Sequence, residues 1–153
     1  MKHEEVTLES FTIVGISVRT TNQNHQSQRD ITKLWEIFFR NNVIEMIPDR
    51  VSDDIYCIYT DYESDYTAEY TTVLGCKVSS HLNIPVNLIV KEIPTSKYNK
   101  YISEGELPYA IGRTWAHIWQ SDIDRRYAAD FDVYGEGAKD PKNAKIMTFL
   151  SIK

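Results

Sequence analysis

From Ala129 to Glu136 the sequence reads A-D-F-D-V-Y-G-E. In an extended chain, side chains alternate between faces. Asp130, Asp132 and Tyr134 would share one side, with Phe131 and Val133 on the other. A second stretch, Tyr59 to Tyr70, holds four tyrosines and four acids without a Lys or Arg. Aromatic faces attract cations, and a desolvated carboxylate beside them neutralises the charge. Acid next to aromatic is thus the chemistry of a site for a bulky organic cation, provided that a carboxylate reaches a cleft. Asp130 is expected at a solvated strand end. For Asp132 both placements, cleft and solvated strand, stand open. In the tyrosine stretch the midpoint residue Tyr59, two positions before Asp61, is expected at a cleft. Glu63, Asp65 and Tyr66 are expected at a solvated turn.

Other chemistries find little support. The four histidines, His3, His25, His81 and His117, are scattered. Cys57 and Cys76 form no C-x-x-C pair and have no histidine close by, so no metal site or redox motif is expected, and both thiols read as reduced. None of the spacings G-x-S-x-G, H-E-x-x-H or G-x-x-x-x-G-K-[ST] occurs, and Gly135–Gly137 reads as a turn. No catalytic residue and no cofactor is expected. The net charge of −5 comes without any Lys/Arg block, which argues against direct nucleic-acid binding. No apolar run is long enough to cross a bilayer and the first residues do not resemble a signal peptide, so a cytoplasmic protein is expected.

The elements that must position these residues follow from period. The 153 residues, 42% apolar and 25% charged, suit one domain with a real core. Residues 7–20 alternate as a strand. Ile31, Leu34, Trp35, Phe38 and Phe39 then recur at helical spacing, with Asp30 as the expected N-cap. Residues 53–62 and 68–80 read as a hairpin. After residues 83–87 the order begins again. An extended run holds Pro94 at a bulge or edge. A helix follows with the stripe Leu107, Ile111, Trp115, Ile118 and Trp119, then a short strand at residues 130–134, then a closing strand at 144–153. L-W-E-I-F-F in the first helix sits like T-W-A-H-I-W in the second. The expectation is an α+β fold of duplicated βαββ units, about 80 residues each. The repeats would cover about residues 5–82 and 87–153 of a single domain. Antiparallel sheets would carry two main helices, with a ligand cleft at the seam.

L-P-Y-A-I-G-R-T-W-A-H-I-W-Q-S-D-I-D, followed by A-D-F-D-V-Y-G-E and the terminal I-M-T-F-L-S-I-K, resembles the effector-binding domain of the gyrase-inhibitor-like superfamily. That superfamily includes the drug-sensing modules of AraC-type and MerR-type bacterial regulators. The hairpin of residues 48–78 resembles the first repeat of those domains, so the likeness spans nearly the whole chain. It implies a bacterial protein with a duplicated βαββ fold and a central cleft. Drug-binding members carry an acid in a motif like D-F-E-x-Y, and here D-F-D-V-Y puts Asp132 in that place, one methylene shorter. A second acid of the family's last strand is replaced by Met147, which weakens the case for dicationic ligands and offers an adaptable wall. No helix-turn-helix precedes the first strand, so a stand-alone sensor or sequestering module is expected.

The reading is a binder of hydrophobic, cationic small molecules. Asp132 is the counter-charge, and Tyr59, Tyr101, Trp115, Trp119, Tyr134, Met147 and Phe149 are the ligand-binding wall. Trp119 and Phe149 serve equally well as core. Two rivals remain. One is a hydrolase of the same superfamily using Asp132 with Tyr134 or Tyr59. The other is a modulator that binds a protein such as gyrase or a regulator, through the acids of Asp53-Asp54 and residues 61–65.

Overall fold

A computed structural model describes residues 1–153. Its frame is one eight-stranded antiparallel sheet. In chain order the elements are β1 (His3–Leu8), β2 (Phe11–Thr21), α1 (Gln26–Arg40), a short α2 (Val43–Met46), β3 (Ile55–Thr60), β4 (Glu69–Val78), β5 (Ile89–Ile93), β6 (Ser96–Gly105), α3 (Tyr109–Gln120), β7 (Ala129–Tyr134) and β8 (Ala144–Ile152). The strand order is β1-β6-β8-β7-β3-β4-β2-β5. Exchanging each strand with its counterpart in the other half turns this order into its own reverse. The fold is thus the expected α+β duplication, with its seam between β3 and β7.

Each half carries one strand more than the periodicity suggested. The expected single strand at residues 7–20 is split at Glu9-Ser10, and the extended run near residues 88–103 is split at Pro94-Thr95. The first strand of each half leaves its own half, so β1 pairs with β6 and β5 pairs with β2. β1 is an edge strand with little buried surface, so it has no alternation to read. Pro94 lacks the N–H that a continuing ladder needs.

These exchanges bend the sheet. β1 and β2 lie six positions apart in the order, about 29 Å in a flat sheet at ~4.8 Å per strand. Leu8 and Phe11 are three residues apart and can span only about 11 Å. The same holds for β5 and β6. The sheet must therefore roll until its edges approach. Where the two links meet, the Ser10 amide donates to Thr95 Oγ1 at 3.0 Å. Ile13, Ile58, Val73, Tyr98, Phe131 and Phe149 pack inside the roll, with Phe11 edge-on to Phe131 at 5.4 Å. Gly15 and Gly75 face each other across β2 and β4, and a Cβ on either would collide with the partner backbone.

The outer face carries the helices. α1 buries Leu34 and Phe38, and α3 buries Ala110, Thr114 and Ile118. The neighbouring stripe of each helix is not buried against the sheet. Ile31, Trp35 and Phe39 on α1 answer Ile111, Trp115 and Trp119 on α3, each pair 80 residues apart. Phe39 is 63% exposed and Trp119 49%. Asp30 is not the cap of α1. The helix begins at Gln26, and Asp30 accepts hydrogen bonds from Thr20 Oγ1 at 2.9 Å and Gln26 Nε2 at 3.1 Å. No helix is long and apolar enough to cross a membrane.

Candidate functional site

The seam between β3 and β7 sets the floor of the cleft between α1 and α3. Cys57 lies opposite Asp132, Tyr59 opposite Asp130 and Ile55 opposite Tyr134. Tyr59 and Tyr134 thus stand two residues beyond the central pair, one on each strand. Each meets the tryptophan of the nearer helix edge-on: Tyr59 with Trp115 at 5.3 Å, Tyr134 with Trp35 at 5.0 Å.

The two halves differ at the central pair, where one strand supplies a thiol and the other a carboxylate. Asp132 has no exposed surface. It accepts from Thr148 Oγ1 at 2.6 Å, Tyr59 OH at 3.0 Å and Trp115 Nε1 at 3.3 Å. Burial raises its carboxyl to about 6, against the pull of those three donors, and the nearby Asp130 charge adds to the rise. Burial and Asp132 likewise push the Cys57 thiol and the Tyr134 phenol upward. The Tyr59 phenol is driven well up by burial first, then by Cys57 and Asp132. Tyr59 therefore stays a donor, aimed at Asp132.

Above this floor a cavity of about 270 Å³ is walled by Tyr59, Tyr62, Tyr66, Tyr70, Trp115 and Trp119, with Ile31 and Ile111 from the two helices. A wider arm of about 750 Å³, which shares Ile111 with the first cavity, is lined by Trp35, Phe39 and Tyr134 and by the acids Asp53, Asp54 and Glu136. Asp132 itself lies behind Tyr59 and Trp115.

Of the residues expected at a site, Tyr59, Trp115 and Trp119 wall the smaller cavity, and Asp132 is bonded to two of them. Tyr134 belongs to the wider arm. Three others lie elsewhere. Met147 and Phe149 flank Thr148 on β8, so alternation sends them to the opposite face, where Phe149 stacks on Phe131 at 4.8 Å. Tyr101 is sealed in the core under α3 with Ile118 and Leu150. Asp130 is not solvated either. It is fully buried and accepts from Tyr62 OH at 2.6 Å, Arg125 Nη2 at 2.9 Å, and the Ser151 amide and hydroxyl at 2.7 and 2.9 Å.

Tyr62, Tyr70 and Arg125 escaped the sequence reading, and Tyr66, expected at a solvated turn, lies in the cavity wall instead. Asp61 adopts a left-handed backbone, φ 51°, and this ends the alternation of β3. Its carboxylate turns out to Lys91 at 2.8 Å, while Tyr62 comes in over Asp130. The tip then folds back, and Tyr66 stacks near Trp119 with ring centres 6.4 Å apart. Arg125 sits in the loop between α3 and β7, where no periodicity marks it.

This architecture has known counterparts. SAV2435, in a structure with tetraphenylphosphonium bound, superposes with a TM-score of 0.82 at 20% identity, covering 100% of this chain and 94% of that one. An integron cassette protein from the mobile metagenome of Vibrio cholerae gives 0.78 at 23% identity, covering 99% and 95%. A putative transcription regulation protein from Staphylococcus aureus MU50 gives 0.78 at 18% identity, covering 100% and 99%. At these identities the likeness concerns the fold. No curated protein matches the sequence. The family model for Cass2, described as integron-associated effector binding protein, matches residues 6–151. The chain therefore belongs to the integron-associated effector-binding protein family, within the gyrase-inhibitor-like superfamily.

Proposed function

We propose that this protein binds hydrophobic, cationic small molecules in the cleft between α1 and α3, as a sensor or sequestering module in the cytoplasm. Small-molecule binding is supported by the family and by the bound tetraphenylphosphonium of a structural neighbour. The cationic preference rests on one observation: a fully buried carboxylate, Asp132, held directly beneath an aromatic cavity by two of the cavity's own walls. Tyr59, Trp115 and Trp119, joined by Tyr62 and Tyr66, supply ring faces. Asp132 supplies negative charge, reaching the ligand through the polarised Tyr59 hydroxyl and Trp115 N–H, or directly when those side chains swing aside. Tyr134 lines the other arm. Met147, Phe149 and Tyr101 take no part.

Because burial pushes the Asp132 carboxyl up to about 6, a cation and a proton compete for it. Affinity for tetraphenylphosphonium is expected to be level above pH 7 and to fall below pH 6, by at most about tenfold per pH unit. A neutral aromatic of similar size should show no such fall. Asp132→Asn should weaken the cation far more than the neutral ligand and flatten its pH profile. Calorimetric titration from pH 5 to 8 reads both. Equal losses for cation and neutral ligand would remove Asp132 from the proposed role.

The raised carboxyl also suits a general base, which favours hydrolysis as a second reading, with Tyr59 beside Asp132. Turnover of an electrophilic substrate, abolished in Asp132→Asn, would select it. No comparable observation favours the protein-modulator reading, since Asp61 is paired with Lys91 and Asp53 with Arg50.

A further inference from the structure

The wall of the aromatic cavity contains one cation, Arg125. It is 7% exposed, and its guanidinium lies 4.3 Å from the Tyr127 ring centre and 6.0 Å from that of Trp115. A guanidinium carries five N–H donors. The hydrogen bond that Arg125 makes within the protein runs from Nη2 to Asp130 Oδ2 at 2.9 Å. Nε is sealed from solvent and has no partner at all. Asp130 cannot take up the remaining donors, because Tyr62 and Ser151 already occupy it. Buried donors left unpaired are unfavourable, and more so on a charged group. The rest of the cavity wall offers no carboxylate: its polar side chains outside the aromatics, Asn22, Ser27 and Gln28, are neutral.

We propose that Arg125 is a ligand-recognition residue, and that the site selects aromatic ligands carrying a carboxylate, which the guanidinium takes at the cavity wall. The planar fork of Arg matches a carboxylate edge. Asp130 balances the charge of Arg125, so the same cavity still admits a cationic group near Tyr59 and Asp132. The preferred ligand is then an aromatic cation with an acid at its far end. This rests on the small-molecule reading above and refines which molecules bind.

Two matched pairs test it by calorimetry at pH 7.5. The first is pentyltriphenylphosphonium against (4-carboxybutyl)triphenylphosphonium. The second, without a cation, is 2-methylnaphthalene against 2-naphthoate. In the wild-type protein the acid of each pair should bind about tenfold tighter or more. In Arg125→Met combined with Asp130→Asn, which leaves no buried charge unpaired, that gap should close. Arg125→Lys, which keeps the charge but not the fork, should lose most of it. Equal affinities within both pairs in the wild-type protein would overturn the proposal without any variant, and so would an acid preference that survives in the double variant. Should the phosphoniums fail to bind while the naphthalene pair binds, the cationic preference falls and the second pair alone decides Arg125. Silence from all four compounds would sink the site and both readings with it.

Discussion

Asp132 holds its charge where charge is disfavoured. Its carboxyl titrates at about 6 in the fold and at about 3.9 in an unfolded chain. Between those values the folded protein keeps a proton that the unfolded chain has lost. Stability therefore falls as pH rises through that window and stays lower above it. Asp132→Asn removes the titration. The variant should be more stable than the wild type at pH 7.5, by at most about 3 kcal/mol, and the gain should shrink toward pH 4. Urea denaturation of both proteins at pH 4.5 and 7.5 measures this. A net loss of stability at pH 7.5 would mean that the hydrogen bonds from Thr148, Tyr59 and Trp115 outweigh burial. Stability gained while cation binding is lost is the mark of a residue kept for its ligand rather than for its fold. Asp130, two positions earlier, is the contrast: four hydrogen-bonded contacts, one of them from Arg125, satisfy it within the protein.

The two helices each divide their apolar stripe between sheet and cleft. Phe38 and Phe39 are neighbours on α1, yet Phe38 is 1% exposed and Phe39 63%. Phe38 packs with Leu34, Val43 and Leu74, while Phe39 lies over Trp35 at 5.8 Å beside the wider arm. Phe38→Ala should destabilise by about 3–5 kcal/mol through the cavity it leaves. Phe39→Ala should change stability by less than about 1 kcal/mol. Urea midpoints of the two variants check the contrast, and similar losses would mean that α1 is rotated relative to the sheet. The sequence pattern supplies the stripe but not this division. A five-residue apolar template reads the same whether its outer members meet a sheet or a cavity.

Across the whole molecule, the exchanged strands tie the two halves together. β1 covers the outer edge of β6 and β5 covers the outer edge of β2. Removing residues 1–8 would bare the edge of the ten-residue β6 and withdraw Val6 and Leu8 from the interior of the roll. The truncated chain should be less stable and should self-associate as its concentration rises, because an unpaired strand edge is a template for another chain. Sedimentation velocity across a concentration series, beside the full-length protein, reads the association. A truncated chain that stays monomeric and as stable as the full one would show that β1 is dispensable to the roll.

Local pattern determined the two main helices, three of the four strands in each half, the duplication and the closeness of acid to aromatic in the sequence. Helical spacing marked α1 and α3, strand-favouring residues around turns marked β3, β4, β7 and β8, and Asp132, left open by the pattern, was singled out by the family resemblance of D-F-D-V-Y. These signals are short-range, so a single chain suffices to show them. Tertiary structure decided everything that depends on which surface covers which. The left-handed backbone of Asp61 brought Tyr62 into the cavity, a departure that no period announces. The roll of the sheet made both of its faces core, so Met147 and Phe149 fall on the face inside the roll and away from the aromatic cavity. The loop after α3 carried Arg125 to the cavity wall, where only the folded chain sets it against Asp130. A residue's type limits the chemistry it can do, but burial and partners choose among the possibilities, and both arise from contacts between segments far apart in the chain.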